Sequence, residues 1–463
     1  MRRGARLLAG LAPVLLGVLA LAACTPPPAT PRPVGTIVIP PPEWRADRAG
    51  SAEIGTQWWR RFDDPVLTGL VEEALAANGD VAIALARVRE ARAQETIVRA
   101  QRLPTLDVGS GVGRSRTLGA LGTPINASAV QPVFQTAYEI DLFGRIGSEV
   151  EAARLGRLAT EAASETARLA VAAATASGYL TLRGLDARAR LTRATIAARA
   201  EALRIARSRA EAGYTSQFEL RLAEAEYEGT AQLLPEIELA IARQENALSV
   251  LLGDPPHAIE RGRSVGELQA PPVPAGLPSD LLRRRPDIAQ AELAIAASDA
   301  TLAASRARFL PSVGLTGSAG AIVSSSLGDP IAIWSLGASV LAPLFEGGRL
   351  RAGVDIAEAR RDQAAFTYRD VVLTAFREVE DALAAVEKLQ AQRQRLEAQR
   401  DAAAEALRHA TNRYRAGYSD YLAQLDAQRT LFSVELALAQ VEADQLTASV
   451  ALYQTMGGGW PGP

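Results

Sequence analysis

The chain has 463 residues and a formal net charge of −2, and it is 48% hydrophobic but only 5% aromatic. This balance argues against a general nucleic-acid binder, which needs a surplus of cations facing phosphate, and it favours helices packed closely through alanine. Lys388 is the only lysine and stands in Glu-Lys-Leu without a glycine loop, so nucleotide hydrolysis through a P-loop is excluded.

The N-terminus has the pattern of a targeting signal. Three arginines precede the apolar run Leu7 to Leu21, so we expect residues 1–23 to be a signal peptide. The following Leu-Ala-Ala-Cys24 resembles a bacterial lipobox, which implies that Cys24 carries a covalent lipid, with no other cofactor. An ordinary signal peptide with an incidental cysteine is the alternative. In enteric bacteria an aspartate after the lipidated cysteine often retains a lipoprotein at the inner membrane. This chain has Thr25 there, so the outer membrane is the favoured location.

Residues 24–60 are expected to form a lipid-anchored, proline-rich tether and an equatorial segment, because clustered prolines hold a chain extended. The tryptophan pair at the end of this segment is interpreted as a packing anchor. Asp64 fits a helix N-cap with Pro65 at the first helical position. This pattern predicts a helix from about Val66 to Arg102.

From Pro104 the hydrophobic period changes from helical to alternating. A first alternating stretch leads into a turn-rich segment, Gly119 to Pro132, and a second runs from Phe134 to Leu142. The second half repeats this pattern from Leu310 and again from Trp334. Each half therefore has two strands of about ten residues with one apolar and one polar face, as in transmembrane barrels.

Two proline-free runs, Arg145 to Ala212 and Arg349 to Ala416, are rich in Ala, Leu, Arg and Glu and predict uninterrupted helices. Each run has 68 residues, which corresponds to about 100 Å of helix. The second run lies 204 positions after the first at both ends (349 − 145 and 416 − 212), so the chain is interpreted as a duplication.

Each copy is expected to contain a helix, two strands, a long helix and a returning helix. The returning helices are predicted at Gln217 to Leu252 and Tyr421 to Met456, and the first helix of the second copy ends at about Arg308. Proline-rich stretches separate the copies, which places the repeats at residues 61–265 and 266–463.

Four membrane strands cannot close a barrel, because open sheet edges leave backbone amides unsatisfied in lipid. We therefore expect the chain to oligomerise, and three copies would supply twelve strands around a lumen. The predicted fold class is mainly α with membrane β. Long helices form a coiled-coil barrel, and four strands per chain complete a twelve-stranded trimeric β-barrel.

Eight motifs follow one another along the chain: Trp58-Trp59 with Phe62-x-Asp-Pro, Glu139-Ile-Asp-Leu-Phe-Gly-Arg145, Leu277-Pro-Ser-Asp-Leu-Leu, Arg285-Pro-Asp-Ile288, Phe345-Glu-Gly-Gly-Arg349, Tyr414-Arg-Ala-Gly-Tyr418, Leu425-Asp-Ala-Gln-Arg429 and Gly457-Gly-Gly-Trp460. Together they resemble the TolC-type outer membrane factors, within them the NodT/OprM-like efflux lipoproteins. The resemblance implies a homotrimeric channel-tunnel in outer membrane lipid that extends into the periplasm. It also implies a passive exit for small solutes, driven by an inner-membrane RND-type pump through a periplasmic adaptor.

Two matching sequences end the long helices: Arg209-x-x-x-Gly213-Tyr214 and Arg413-x-x-x-Gly417-Tyr418. The glycine of each suits the left-handed conformation that ends a helix. In the family these turns are the periplasmic tips where adaptor hairpins dock. The resemblance therefore implies this role for both glycines and for the tyrosine after each.

Acidic residues just beyond the turns are candidates for the gate. By resemblance, carboxylates six and nine positions after the tip glycine form the lumen constriction. Glu219 holds the six position in the first copy and Asp426 the nine position in the second, while Ala423 departs from the pattern. We hypothesise that three copies of Asp426, with Asp420, favour cations in the resting pore. Ordinary solvated carboxylates are the alternative.

Further candidates lie on both sides of the membrane boundary. Arg209 and Arg413 occupy identical positions before the two turns, so we hypothesise that they latch the closed state to neighbouring carboxylates. Tyr138 and Trp334, on predicted strands, are candidate membrane-interface aromatics.

An enzyme is not expected. His257 and His409 are the only histidines and lie in different halves without metal-ligand spacing. A non-conducting coiled-coil spacer tethered by a lipid is one alternative to the channel, although it would not need amphipathic strands. A type I protein-secretion or metal-cation efflux exit channel is another.

Overall fold

The computed structural model describes residues 30–45, 55–118, 120, 122–273, 278–326 and 328–462. Within these residues the chain forms a short 3-10 turn, nine α-helices and four β-strands. In chain order they are the turn Trp58–Phe62, α1 (Pro65–Ala77), α2 (Gly79–Ala100), β1 (Thr105–Leu118), β2 (Pro124–Ile140), α3 (Arg145–Glu211), α4 (Gln217–Ala231), α5 (Leu233–Leu252), α6 (Pro278–Arg284), α7 (Pro286–Ala307), β3 (Ser312–Ser324), β4 (Ile331–Leu341), α8 (Arg349–Arg415) and α9 (Tyr421–Thr455). The predicted signal peptide and Cys24 lie outside the described residues.

The two long helices agree with the sequence prediction. Both α3 and α8 contain 67 residues, begin at the predicted residue and end one residue before the predicted end. Because neither contains proline, the backbone hydrogen-bond ladder continues without interruption. No helix among the described residues is both long and apolar enough to cross a membrane.

The predicted helix from Val66 to Arg102 is wrong, because the segment is broken at Asn78. This residue has extended backbone angles (φ −62°, ψ 133°) and ends α1. Its side-chain carbonyl accepts a hydrogen bond from the N–H of Asp80 at 2.9 Å, and its amide donates to the Leu251 carbonyl at 2.9 Å. Asn78 therefore caps α2, with a glycine next to it that also disfavours a continuous helix.

The predicted returning helix of the first copy is also two helices, α4 and α5, which meet at Gln232. The cause is Pro235, the third residue of α5, which lacks the N–H that an unbroken helix would use there. The equivalent position of the second copy, 204 residues later, is Ala439, and α9 runs without a break.

The four strands form one antiparallel sheet in the order β1-β2-β3-β4. The predicted turn segment Gly119 to Pro132 is wrong in its second half, since β2 already begins at Pro124. Strand β2 is central, yet it contains Pro132, which has no N–H to donate. The pairing of β2 with β3 has a gap at this point, between Val130 and Val133. This gap explains how the strand continues through a proline.

The strand register confirms that the sheet has an apolar and a polar face. One cross-strand row contains Val108, Phe134, Ala319 and Trp334, and the next row, on the other face, contains Asp107, Gln135, Ser318 and Ser335. Side chains of the apolar face are exposed in the single chain, Val108 by 73% and Trp334 by 76%. The two acidic residues within the strands, Asp107 and Glu139, both belong to the polar face.

The chain divides into two compact units. One contains the sheet and is built from the described residues of Met1–Ile37, Arg87–Glu161 and Gln290–Arg369. The other takes the described residues of Val38–Ala86, Ala162–Ala289 and Asp370–Pro463. Each unit draws on both sequence repeats, so the proposed repeat boundary at residues 265 and 266 stays a prediction.

The second unit contains a hydrophobic core built around the predicted tryptophan anchors. Trp58 is 1% exposed and stacks on Tyr453 with ring centroids 5.9 Å apart. The buried Asp64 carboxylate caps α1 by accepting a hydrogen bond from the N–H of Val66 at 2.9 Å, as predicted, and it also accepts one from the Tyr179 hydroxyl at 2.9 Å. The N-cap therefore also ties α1 to α3.

Candidate functional site

The ends of α3 and α8 form matching turns. Gly213 and Gly417 have φ angles of +76° and +77°, which confirms the predicted left-handed glycines. In the first turn the N–H of Tyr214 donates to the Arg209 carbonyl at 2.8 Å, and the N–H of Gly213 donates to the Ala210 carbonyl at 3.1 Å. The equivalent bonds of the second turn measure 2.9 Å and 3.0 Å. Both turns are Schellman motifs, which satisfy the last carbonyls of a helix.

The residue three positions after each turn glycine is the N-cap of the helix that follows. The hydroxyl of Ser216 accepts a hydrogen bond from the N–H of Glu219 at 3.2 Å and caps α4. At the matching position, the Asp420 carboxylate accepts one from the N–H of Ala423 at 3.1 Å and caps α9. Asp420 therefore has a capping role that does not depend on a pore, since a carboxylate at a helix N-terminus is favourable by itself.

The other two predicted gate carboxylates differ in their surroundings. Glu219 is half-buried and accepts a hydrogen bond from the hydroxyl of Thr215. Asp426 has a side chain that is 65% exposed and lies 3.6 Å from the Arg429 guanidinium. A ring of charge needs several copies of the chain, so the constriction stays a prediction.

The two candidate latch arginines are also placed differently. The Arg209 guanidinium donates to the hydroxyl of Tyr414 at 3.4 Å, which is a phenol rather than a carboxylate. The Tyr414 ring packs on Tyr421 with centroids 5.6 Å apart, and burial raises the pKa of the Tyr421 phenol, so it stays protonated. Arg413 is exposed and forms no ion pair with any residue that the structure describes. A closed-state latch stays a prediction.

A charge cluster that the sequence analysis missed lies further along the same helices. The Glu226 carboxylate of α4 accepts a hydrogen bond from Nη1 of Arg199 in α3 at 2.7 Å. It also accepts one from Nε of Arg429 in α9 at 2.8 Å. One carboxylate thus joins three helices and both repeats. Arg429 belongs to a recognised motif, but nothing in the sequence pairs it with Glu226.

The cluster is shielded from water at its centre. The side chains of Arg199 and Glu226 are 11% and 12% exposed. Burial lowers the pKa of the Arg199 guanidinium, and the nearby Glu226 carboxylate opposes this effect. The Arg199 guanidinium also lies 5.7 Å from the centre of the Phe432 ring, a cation–π contact. Removing the carboxylate would leave a desolvated cation without its ionic partner.

The turns expose apolar side chains. Tyr214 and Tyr418 are 86% and 80% exposed, and Phe218 and Leu422, one helical turn further on, are 70% and 44% exposed. Each copy therefore presents one aromatic residue at its turn and a second apolar residue at the start of the next helix. Exposed apolar groups of this size in a cluster are typical of protein interaction sites.

The candidate membrane aromatics lie on the apolar face of the sheet. Tyr138 pairs with Leu315, and Trp334 pairs with Ala319, which in turn pairs with Phe134. The register therefore puts Trp334 four residues along the sheet from Tyr138. Both residues can contact lipid, whereas a position at the membrane interface stays a prediction.

The junction between β2 and α3 accounts for the first strand-to-helix motif. Asp141 accepts hydrogen bonds from the N–H groups of Ile146 at 3.1 Å and Gly147 at 2.6 Å, so it caps α3. The Arg145 guanidinium lies 2.8 Å from Glu139 on the polar face and 3.2 Å from Glu149. These contacts fix the direction in which the long helix leaves the strand.

Both histidines are exposed, and their contacts are local. His257 has Nδ1 3.0 Å from the Pro255 carbonyl, and His409 lies 3.8 Å from Glu405. Among the described residues, no group of three or more His, Cys, Asp or Glu side chains could hold a metal ion.

Comparison with known proteins agrees with this geometry. The model of the family described as outer membrane efflux protein matches residues 70–254 and 277–458. The toluene efflux pump outer membrane protein TtgC of Pseudomonas putida is 34% identical, over 90% of this chain and 88% of its own. Outer membrane protein OprJ of Pseudomonas aeruginosa is 36% identical, over 96% of this chain and 95% of its own.

The fold is likewise similar to that of a solved channel. The open state of the MtrE outer membrane channel of Neisseria gonorrhoeae superposes with a TM-score of 0.83 at 30% identity, over 94% of this chain and 98% of that one. The chain therefore belongs to the outer membrane efflux protein family, and it is an outer membrane efflux channel.

Proposed function

We propose that the chain works as a homotrimer, the passive outer membrane exit duct of a tripartite efflux system. The observation that carries this proposal is the four-stranded sheet, one face of which is largely apolar and exposed. Its outer strands, β1 and β4, each pair on one side only within the described chain. In lipid such edges are costly, and pairing β1 of one copy with β4 of the next satisfies them in a closed ring.

Three copies give twelve strands, a number that leaves an open lumen in a closed barrel. The apolar face then contacts lipid, and the polar face, with Asp107 and Glu139, lines the lumen. No step of this function is catalytic. Solutes move through the duct because a pump elsewhere supplies the energy.

The ends of the strands that connect to helices face the periplasm. The ends joined by the β1–β2 and β3–β4 hairpins face the outside. In this proposal the turns at Gly213 and Gly417, which end the two long helices, are the tips that meet the pump assembly. Their exposed residues, Tyr214 and Tyr418 above all, supply apolar surface for a periplasmic adaptor protein. The gate, with Glu219, Asp426 and the two candidate arginines, lies next to this surface.

We also propose that Cys24 is acylated and holds the chain at the outer membrane, with no cofactor beyond this lipid. The pump partner is an inner-membrane RND-type transporter. The similarity to TtgC, a toluene efflux protein by name, supports small solutes as the exported class. Selection among them belongs to the pump, since a wide water-filled duct discriminates little.

Cysteine cross-linking tests the trimer. A cysteine at Ser110 in β1 is combined in turn with one in β4, either on the same face of the sheet (Leu336 or Ala338) or on the opposite face (Ser335 or Gly337). Disulfides need Cα atoms within about 7 Å, so only same-face pairs from neighbouring copies can join. We expect covalent dimers and trimers from a same-face pair. Monomers from every pair, with a monomeric mass in mild detergent, would contradict the proposal.

A further inference from the structure

The only cations in the four strands are Arg114 and Arg116, both in β1. Their even numbers put them on the same face as Leu106, Val108 and Val112, which is the apolar face. Both arginines are exposed. The sheet therefore presents its two positive charges towards lipid, while its two acidic residues are on the opposite face.

The two arginines are not neutralised by the described part of the sheet. Their cross-strand neighbours are Ser128 and Asn126, which carry no charge. Neither arginine forms an ion pair with a residue that the structure describes. An arginine in the middle of the lipid-facing surface is strongly destabilising, but this cost falls close to zero near the membrane interface. The depth of the two arginines in the membrane therefore decides which part of the lipid they can contact.

The register gives that depth. Twelve residues separate Ile140, at the helical end of β2, from Ser128, which pairs with Arg114. Twelve residues span about 40 Å along a strand, or about 30 Å across a membrane at a tilt of about 40°. The apolar band of such barrels is about 25 Å tall. With Ile140 taken as the periplasmic edge of this band, Arg114 lies just beyond its opposite edge, at the level of the lipid headgroups, and Arg116 lies slightly further out.

We propose that Arg114 and Arg116 bind the phosphate groups of the phosphorylated glycolipid in the outer leaflet of the outer membrane. This goes beyond the duct function and rests on the orientation given above, in which the hairpin ends face outwards. Guanidinium groups match phosphate oxygens through paired hydrogen bonds. Two arginines at spacing two on one strand face lie about 6.6 Å apart along the strand, close enough to contact one headgroup.

The glycolipid is favoured over a soluble anion because of the surface next to the arginines. Below Arg114 on the same face the strand continues with Val112, Ser110 and Val108, and both valines expose their apolar side chains. A ligand that carries phosphate above acyl chains satisfies both parts of this surface, whereas free phosphate contacts only the charges.

The test compares the full-length protein with the Arg114→Gln/Arg116→Gln double variant. Binding of bis-phosphorylated lipid A, dephosphorylated lipid A and phosphatidylglycerol is measured in nanodiscs of phosphatidylcholine. The control is Arg87→Gln/Arg89→Gln, which removes the same charge at the same spacing from the exposed surface of α2. Each basic residue near a membrane surface contributes about 1 kcal/mol, so the double variant should bind bis-phosphorylated lipid A about 30-fold more weakly.

We expect the wild-type and control proteins to prefer bis-phosphorylated lipid A over both other lipids. Equal binding by the double variant overturns the proposal, and so does equal binding of dephosphorylated lipid A. Phosphatidylglycerol binding as tight as that of lipid A overturns the assignment to the outer-leaflet glycolipid. Conductance of the double variant in phosphatidylcholine bilayers separates this question from the duct function, because loss of lipid A binding should leave the channel open to ions.

Discussion

The Glu226 carboxylate in the first repeat accepts a hydrogen bond of 2.8 Å from Nε of Arg429 in the second repeat. The same carboxylate accepts one from Arg199, so a single acidic side chain holds α3, α4 and α9 together near the turns. Because its surroundings are largely dry, this contact differs from exposed ion pairs on the same helices, such as that of Arg204 with Glu201.

Replacing Glu226 with Gln should loosen the helices that lead to the turns. Breaking a buried ion pair by removing one partner costs about 3–5 kcal/mol, which corresponds to a loss of hydrogen-exchange protection of 100-fold or more in α4. The control is Glu224→Gln, whose carboxylate is 28% exposed and bonds Arg221 at 2.7 Å. That change should cost about 1 kcal/mol or less. Equal hydrogen-exchange protection in both variants would contradict the claim that Glu226 holds the three helices together.

The capping role of Asp420 and the predicted pore role of Asp426 can be tested separately by substitutions that keep the helix cap. Asp420→Asn retains a capping oxygen, so it should leave α9 intact. If Asp426 lines a narrow throat, Asp426→Asn should lower the cation preference of the reconstituted channel about twofold or more, because fixed charge is concentrated there. The measurement is the reversal potential in a salt gradient. An unchanged cation preference would remove Asp426 from the throat.

The turn glycines should resist substitution. Gly417→Ala forces a side chain into φ +77°, at a cost of about 1–2 kcal/mol. The N–H of Tyr418, which closes this turn, should then exchange about 5- to 30-fold faster with solvent. Gly353→Ala is the matched control, since Gly353 lies inside α8 with open space around it. There alanine should stabilise by up to about 1 kcal/mol. Slower or unchanged exchange at Tyr418 would contradict the account of the turn.

Stability should depend on pH through Glu435 in α9. Burial raises the pKa of its carboxyl above the ordinary value, and the Arg400 guanidinium opposes this only in part. The folded state therefore binds this proton more tightly than the unfolded chain does. The resulting stabilisation is complete below the ordinary pKa of about 4.3 and is lost as the pH rises through the raised value.

Glu435→Gln should therefore raise the melting temperature at neutral pH, and this gain should vanish below the ordinary glutamate pKa. Glu405→Gln is the control, because the hydrogen bond from Arg408 lowers the pKa of that exposed carboxyl. It should give no gain at neutral pH. A gain for Glu435→Gln that does not change with pH would rule out titration as its cause.

The sequence predicts the long elements of this chain well, and the reason is local. Helices α3 and α8 follow from uniform helix formers without proline, and the two turns follow from a glycine, since each depends on neighbouring residues only. The alternating strands are equally local. The break at Asn78 could have been read from the Asn-Gly pair, and the break near Gln232 from Pro235.

Other features depend on distant residues. The first part of β2 reads as a turn because of its small residues and Pro132, and only pairing with β1 and β3 makes it a strand. The Glu226 cluster joins the consecutive helices α3 and α4 to α9, whose Arg429 lies 203 residues after Glu226. No spacing rule relates Glu226 to Arg199 or Arg429, so these partners could not be predicted without the packing.

The measurement that tests the central proposal most directly is the conductance of the purified full-length protein in a planar lipid bilayer, together with its mass in mild detergent. A trimeric duct should give a mass of three copies and discrete conductance steps that favour cations, because Asp107 lies on the polar face and the four strands place no cation there. A monomeric mass without conductance would contradict it.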